Sequence, residues 1–175
     1  MRKELKDYVK TIPDFPEPGI MFRDITSILA DADGLKLAID EMEKALKDVD
    51  FDVIAGMESR GFIFGMPIAY NLHKPFILIR KKGKLPRKVA SVKYDLEYGS
   101  AEMEIHLDDI QKGSKVLIID DLIATGGTMA ATVKLVESVG GIVTGILVLM
   151  ELEGLKGKDK LKDYNFMSIL KYGGK

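Results

Sequence analysis

Several residue types and patterns are absent from this 175-residue chain, and each absence excludes a class of protein. There is no cysteine, which rules out disulfides and thiolate zinc sites and suits a reducing cytoplasm. The formal net charge of -1 gives no global positive field for nucleic acid or an anionic membrane. The longest apolar stretch, residues 140–150, is well short of the ~20 residues of a membrane helix. The first eight residues are polar, unlike a signal peptide. We therefore expect a cytoplasmic protein that binds neither membranes nor nucleic acid.

Two common nucleotide-binding motifs are missing as well. No Gly-x-x-x-x-Gly-Lys-Ser/Thr loop occurs, which argues against a nucleotide hydrolase, and no Gly-x-Gly-x-x-Gly occurs, which argues against a dinucleotide-binding fold. The two histidines, His73 and His106, lack the paired spacing that chelates a metal. We expect both histidines at the surface.

Hydrophobic periodicity predicts a single α/β domain over residues 1–175, with no repeat or linker. Helices are predicted at residues 2–11, 34–48, 61–72 and 128–139, and strands at residues 51–56, 75–80, 115–119 and 142–150. Within residues 83–107, Val92, Tyr94 and Leu96 alternate with polar neighbours, which is typical of an antiparallel hairpin. The predicted fold is a doubly wound, mainly parallel sheet flanked by helices, with this flexible hairpin inserted.

One stretch joins a buried strand to a small-residue loop that opens a helix. Residues 116–119 are apolar, and they end in Asp120 and Asp121, where open parallel sheets bind ligands. The loop 124–128 supplies glycines, hydroxyls and unpaired helix N–H groups, which together favour a phosphate. Two acids beside a phosphate favour hydroxyl groups, a cation or both, such as a ribose with Mg²⁺.

These residues resemble the 5-phosphoribosyl pyrophosphate (PRPP) motif of the type I phosphoribosyltransferase family. Three further segments, residues 15–25, 58–62 and 78–86 leading to 96–99, are similar in order and spacing to those of its adenine-specific members. The resemblance runs from residue 14 to residue 158. It implies that adenine and PRPP give AMP and pyrophosphate in purine salvage, with Mg²⁺, in a homodimer. It also implies an N-terminal hood at about residues 12–30.

The resemblance assigns a role to each matching residue. The 5′-phosphate is assigned to Ala124, Thr125, Gly126, Gly127 and Thr128. The ribose hydroxyls are assigned to Asp120 and Asp121. Pyrophosphate is assigned to Ser59, Arg60, Gly61, Arg80 and Lys84, with some of the basic residues reaching the neighbouring subunit's site. Mg²⁺ is expected to be held mainly by PRPP, through water to Asp120 or Asp121, and no direct protein ligand is assigned.

Base recognition and catalysis are assigned in the same way. The expected adenine contacts are Met21, Phe22, Arg23, Glu58 and Leu122. Backbone groups near Met21 and Arg23 would read the purine edge, with Phe22 stacking on the base. Glu97 is the expected acid or base at the imidazole edge, and Tyr98 lies beside it in a flap that excludes water.

Taken without the resemblance, several of these features have simpler interpretations. Ser59 is an ordinary helix cap, the basic run 80–84 is a solvated face, Phe22 is a hydrophobic plug and Glu97 is an exposed turn carboxylate. Two other functions also fit the phosphate loop: a PRPP-sensing regulator, and an enzyme of the same fold that uses guanine, hypoxanthine or orotate.

Overall fold

A computed structural model describes residues 3–96 and 99–174 of the chain. Its strands are β1 (Lys10–Pro13), β2 (Met21–Asp24), β3 (Val53–Met57), β4 (Phe76–Lys81), β5 (Val89–Leu96), β6 (Gly99–His106), β7 (Lys115–Ile123), β8 (Ile142–Leu152) and β9 (Phe166–Tyr172). Its α-helices are α1 (Thr26–Leu29), α2 (Ala32–Ala45), α3 (Arg60–Asn71) and α4 (Gly127–Ser138). Short 3₁₀ helices occupy Leu5–Tyr8, Glu153–Leu155 and Gly157–Leu161.

The main sheet has the strand order β5-β6-β4-β3-β7-β8-β9. Strands β4, β3, β7, β8 and β9 pair in parallel, whereas β6 joins β4 antiparallel and carries β5 as its hairpin partner. The predicted mainly parallel α/β sheet with an inserted hairpin is therefore confirmed. After β3 the chain continues to β4 on one side of the sheet, and after β7 it continues to β8 on the other side. The strand order therefore reverses between β3 and β7.

Helices cover both faces of the sheet, as a doubly wound fold requires. Along β3, Val53 and Ala55 pack in the cluster that contains α4 residues such as Val133. Ile54, which points to the other face, packs in the cluster formed with α2 and α3, including Phe64. All five residues of β3 are buried. This central strand is therefore held rigidly from both sides.

The predicted helix at residues 2–11 is wrong. Within the described residues 3–11, only Leu5–Tyr8 is helical, as a 3₁₀ turn, and Lys10–Pro13 forms a strand antiparallel to Met21–Asp24. Part of the reason is local, because a residue that precedes proline favours an extended backbone, as Ile12 does before Pro13, and the rest is the pairing with β2. The resulting two-stranded hairpin is the core of the hood.

Strand β9 was not among the predicted elements. It pairs in parallel with β8 although only two 3₁₀ helices connect them. Parallel strands are usually joined by an α-helix, so a short apolar run without a preceding helical pattern gives little sign of such pairing. Among the described residues, no helix combines the length and apolarity that crossing a membrane requires.

The expectation of two surface histidines is half wrong. His73 is exposed, but His106 is only 7% exposed. Its Nε2 lies 3.3 Å from the Arg87 amide nitrogen, and its Nδ1 lies 3.0 Å from a carboxylate oxygen of Asp109. The second half of β6 is buried, because it lies inside the sheet between β5 and β4.

Candidate active site

A polar cleft opens where the strand order reverses between β3 and β7. Ligands of open α/β sheets bind at such points, because the loops from the two strand ends diverge and leave a crevice. The cleft has a volume of about 470 Å³. It is lined by Glu58, Ser59, Arg60, Lys81, Asp120, Asp121, Leu122, Ile123, Ala124, Thr125, Gly126, Gly127, Thr128 and Met129. The structure thus brings the predicted phosphate loop and acid pair together with the segment that follows β3.

The phosphate loop connects β7 to α4 and presents backbone N–H groups. Gly126 is the residue before α4 and has φ +76°, a left-handed conformation that favours glycine. The first N–H groups of an α-helix have no partner inside the helix, and the helix dipole places partial positive charge there. Thr125 and Thr128 add hydroxyl groups to the same wall of the cleft. The loop is built to hold an anion.

The two acids at the end of β7 are close together and poorly solvated. The Asp121 N–H donates to Oδ1 of Asp120 at 2.8 Å. Burial, followed by the negative charge of Asp121, raises the pKa of Asp120 well above its usual value. Such a pair is stabilised by partners that donate hydrogen bonds or carry positive charge.

Arg60 is the nearest cation to this pair. Its Nε lies 2.8 Å from Oδ2 of Asp121, a buried oxygen that accepts no hydrogen bond of acceptable geometry within the described residues. The Arg60 side chain is 53% exposed, so its guanidinium also faces the cleft. Arg60 therefore links the acid pair to the space where an anion would bind.

Gly61 allows this approach of α3 to β7. A Cβ at position 61 would lie 2.7 Å from the carbonyl oxygen of Ile119, so any side chain would push the helix away. Gly61 itself does not line the cleft. Its role in the structure is to bring Arg60 close to Asp121.

A carboxylate ties the basic run after β4 to the end of β3. Oε2 of Glu58 accepts hydrogen bonds from the Lys81 N–H at 2.9 Å and from Nε of Arg80 at 3.2 Å. Burial opposes ionisation of Glu58, but these two bonds and the charges of Arg80 and Lys84 outweigh it and lower its pKa. Arg80 also donates to the Lys84 carbonyl at 3.3 Å. Glu58 and Lys81 line the cleft, whereas Arg80 and Lys84 are not among its lining residues.

An apolar pocket of about 380 Å³ lies under the hood. It is lined by Ile20, Met21, Phe22, Arg23, Asp24, Ile25, Thr26, Arg60, Asp121, Leu122, Leu152 and Leu155. Four of the five expected adenine contacts are in this set, and the fifth, Glu58, lies in the polar cleft instead. The pocket has the size and apolar lining of a site for a flat ring.

Two hood residues are fixed by neighbouring aromatic rings. The Phe22 ring makes an edge-to-face contact with Phe15, with ring centroids 5.1 Å apart. The Arg23 guanidinium lies 4.5 Å from the centre of the Tyr172 ring and donates to the Thr11 hydroxyl. The Arg23 side chain is therefore held at the edge of the hood, and Arg23 is also one of the residues that line the pocket.

The two cavities meet at Arg60, Asp121 and Leu122, which line both. Sequence reasoning missed Leu152 and Leu155, which close the far side of the apolar pocket. The available signal was positional, because both residues lie at or just after the carboxyl end of a parallel strand. A bound molecule with a polar and an apolar part would span this junction.

The end of β5 lies beside the phosphate loop. Leu96 and Gly99 are the last paired residues of β5 and β6, and Glu97 and Tyr98 between them lie outside the described residues. Leu96 lines a third cavity, of about 770 Å³, together with loop residues such as Thr125.

Comparison with known proteins gives a consistent result. A model of the phosphoribosyl transferase domain matches residues 25–172. An adenine phosphoribosyltransferase of Agathobacter rectalis is 61% identical over 173 residues, 99% of each chain. The crystal structure of adenine phosphoribosyltransferase from Thermoanaerobacter pseudethanolicus has a TM-score of 0.91 at 49% identity, covering 96% of this chain and 98% of that one.

A yeast structure gives the same result with ligands bound. Adenine phosphoribosyltransferase from Saccharomyces cerevisiae, complexed with D-2,5-dideoxy-2,5-imino-altritol 1,6-bisphosphate and adenine, has a TM-score of 0.87 at 39% identity. The match covers 94% of this chain and 96% of the yeast chain. On the combined strength of the domain match, the 61% identity over nearly the full chain and the shared fold, this chain belongs to the phosphoribosyltransferase family, among the adenine phosphoribosyltransferases.

Proposed function

We propose that this protein transfers the 5-phosphoribosyl group of PRPP to adenine in the cytoplasm, giving AMP and pyrophosphate. One observation carries the proposal: a polar cleft with a phosphate loop meets an apolar pocket at Arg60, Asp121 and Leu122. A nucleotide has a polar ribose phosphate, which suits the cleft, and a flat base, which suits the apolar pocket. The yeast relative, crystallised with adenine and a bisphosphate, supports this pairing. The whole chain acts as one catalytic domain.

In this proposal the ribose ring lies between the phosphate loop and the acid pair. Residues 124–128 bind the 5′-phosphate, and Asp120 and Asp121 accept hydrogen bonds from the ribose hydroxyls. Hydroxyl donors suit two crowded carboxylates, because each bond offsets part of their mutual repulsion. The sugar is thereby held while the anomeric C–O bond to pyrophosphate breaks and the bond to the base nitrogen forms.

Mg²⁺ fits the same acid pair. Mg²⁺ is commonly bound by one or two carboxylates together with substrate phosphates, and Asp120 and Asp121 face the cleft where PRPP would bind. When bound, the ion supplies positive charge to the pyrophosphate oxygens. PRPP would hold most of its coordination sphere, with the acids acting through water.

Departing pyrophosphate carries negative charge that the cations after β3 and β4 would stabilise. Arg60 and Lys81 line the cleft, and Ser59 lies between Glu58 and Arg60 on the same wall. Arg80 and Lys84 are proposed to turn toward pyrophosphate when it binds. Glu58 is proposed to orient Arg80 and Lys81 rather than to contact adenine, because both of its hydrogen bonds go to them.

Adenine is proposed to occupy the apolar pocket, with Phe22 and Leu122 on its faces. Backbone groups of Met21 and Arg23 would read the exocyclic amine and the adjacent ring nitrogen. Hypoxanthine presents the reverse donor and acceptor pattern and would leave both backbone groups unpaired.

Glu97 is proposed as the group that takes the proton from the base as the new bond forms. Its neighbours Asp95 and Leu96 line a cavity with Thr125, Gly127 and Thr128, which supports a hairpin tip that reaches the site. Tyr98 would lie in the same flap and help to exclude water.

We also propose that the protein is a homodimer that pairs through the outer face of α3. Ile63, Met66 and Tyr70 follow one face of this helix and are 38%, 53% and 82% exposed. Clustered apolar side chains of this kind mark protein interfaces. Sedimentation at micromolar concentration should give the mass of two chains, and a monomer mass would contradict the proposal.

A direct assay tests the activity. The protein is incubated with PRPP, Mg²⁺ and one base at a time, and pyrophosphate release is followed. Adenine should be used at least about 10⁴-fold better than hypoxanthine, because a mismatched base leaves buried polar groups unpaired. Preference for hypoxanthine, guanine or orotate would reassign the base, and PRPP binding without turnover would indicate a PRPP sensor.

A further inference from the structure

A segment that no sequence motif marks lies directly against the phosphate loop. It is the 3₁₀ helix Gly157–Leu161, which follows β8. A Cβ at Gly126 would lie 3.0 Å from the Gly157 Cα, and a Cβ at Gly157 would lie 3.0 Å from the Gly126 nitrogen. The carbonyl oxygens of Gly157 and Ala124 would be closer still to these added atoms. The two backbones therefore touch with no room for a side chain between them.

The same segment carries a cation toward the start of α4. The Lys160 Nζ lies 3.9 Å from the position that a Cβ at Gly127 would occupy. Lys160 also lines the third cavity together with Thr125, Gly127 and Thr128. Among residues 3–96 and 99–174, Lys160 forms no ion pair. A lysine at the positive end of a helix is unfavourable until an anion binds there.

The segment is anchored so that it can hold this position. Glu151 at the end of β8 is 2% exposed, and its Oε1 lies 3.5 Å from the Lys158 Nζ. Its other oxygen accepts a hydrogen bond from the Ser168 hydroxyl at 2.7 Å. Leu161, at the end of the segment, is 1% exposed within the core. Lys160 thus projects from a turn that is fixed on both sides.

We propose that residues 157–161 form a second wall of the 5′-phosphate site, in which Gly157 sets the position of the loop and Lys160 binds the phosphate dianion. The ligand class is a phosphate monoester. The proposal rests on the proposed function, because that function places the phosphate in this loop. Gly157 acts through the loop and is a positioning residue, whereas Lys160 contacts the ligand.

Lys160→Met tests the charge, with ribose 5-phosphate as the probe in an NMR titration of the full chain. The dissociation constant should rise about fivefold, as expected for one partly exposed cation and phosphate pair. Lys160→Arg should restore most of the affinity. Lys162→Met, an exposed lysine just beyond the segment, is the control and should bind as wild type does. Unchanged affinity in Lys160→Met would overturn the proposal.

Gly157→Ala tests the spacing. Its backbone does not have a positive φ, so the added methyl group acts through its clash with Ile123, Ala124 and Gly126. The KM for PRPP should rise about tenfold or more, because a displaced loop misplaces the reacting sugar, with little change in the KM for adenine. Gly173→Ala, where an added Cβ meets nothing within 4 Å, is the matched control. A wild-type KM for PRPP in Gly157→Ala would overturn the positioning role.

Wild-type turnover separates this inference from the proposed function. If the wild type does not convert adenine but Lys160→Met still weakens ribose 5-phosphate binding, the second wall stands and the proposed function falls. If the wild type is active and Lys160→Met binds ribose 5-phosphate normally, the proposed function stands and the second wall falls. If the wild type binds no ribose 5-phosphate, both are overturned.

Discussion

The polar cleft and the apolar pocket are adjacent and similar in size, about 470 and 380 Å³, but they are built in opposite ways. The cleft is made of strand ends, loop backbone and the start of α4. The pocket is lined by residues from the hood, the start of α3, the end of β7, the end of β8 and the segment that follows β8. A phosphate is recognised by backbone amides in a fixed geometry, whereas a base needs apolar surfaces on both of its faces.

This difference determines how each cavity responds to substitution. Changes in the cleft act on charge and hydrogen bonding to the reacting sugar, and changes in the pocket act on base affinity alone. Arg60, Asp121 and Leu122 belong to both cavities, so the separation is sharpest for residues that line only one.

Glu97→Gln tests whether the residues of the two cavities can catalyse the reaction without a proton-transferring group on the hairpin. The substitution keeps the shape of the side chain but removes its ability to transfer a proton, so kcat should fall by about 10²–10⁴ with little change in the KM for PRPP. Steady-state kinetics measure both values. Glu102→Gln is the control, since Glu102 lies on β6 of the same hairpin. Its carboxylate forms an ion pair with Lys82 at 2.8 Å. A wild-type kcat where chemistry limits the rate would make Glu97 a lid residue only.

The double substitution Asp120→Asn and Asp121→Asn removes the acids of the cleft while keeping their size. The value of kcat/KM should fall by about 10³, since two charge-assisted hydrogen bonds are lost at about 1.5–3 kcal/mol each. The protein should stay folded, as circular dichroism would report. Survival of turnover in this double variant would remove the acid pair from the ribose site.

Phe22→Ala is the corresponding test of the pocket. Loss of stacking should weaken adenine binding by about 1–3 kcal/mol, roughly 5- to 150-fold, with PRPP binding nearly unchanged. Titration with each ligand measures the two affinities. If both fall equally, Phe22 supports the hood through Phe15 and the two cavities are not independent.

Asp120→Asn alone should raise stability while lowering activity. The raised pKa of Asp120, caused by burial and by the charge of Asp121, means that ionisation is less favourable in the folded than in the unfolded state. This destabilisation is absent below the unfolded value of 3.8 and grows as the pH rises toward the folded pKa. At pH 7 the melting temperature should rise by about 2–4 °C, the shift that ~1 kcal/mol produces in a domain of this size.

Thermal melts at several pH values measure this gain, which should shrink as the pH falls toward 3.8. A lower melting temperature at pH 7 would contradict the prediction that ionised Asp120 destabilises the fold. Asp52→Asn, at the other end of the sheet, provides a comparison for the effect of removing one acid.

The cleft could be predicted from the sequence because its parts are contiguous. Residues 120–128 combine a strand end, a glycine loop and a helix start within nine positions, and each has a local signature. The same holds for Arg60, which follows β3 and begins α3. The role of Glu58 was different, because its partners Arg80 and Lys81 are more than 20 positions away and the sequence does not indicate which way the carboxylate turns.

The pocket could be predicted only in part. Met21, Phe22 and Leu122 were expected there, but Leu152 and Leu155 were not, and strand β9 behind them was missed. The helix predicted for residues 2–11 failed for a related reason, since pairing between β1 and β2 and the proline at position 13 outweighed local helical spacing.

The sequence by itself determined the fold class, the phosphate loop and the acid pair, because local periodicity and loop chemistry act within a few residues. Tertiary structure decided which distant segments close the site: the hood over Leu122, the Leu152 and Leu155 wall, and Gly157 against Gly126. Those contacts join positions from about 30 to more than 130 residues apart. They depend on how the sheet is ordered and packed, which no short stretch of sequence specifies.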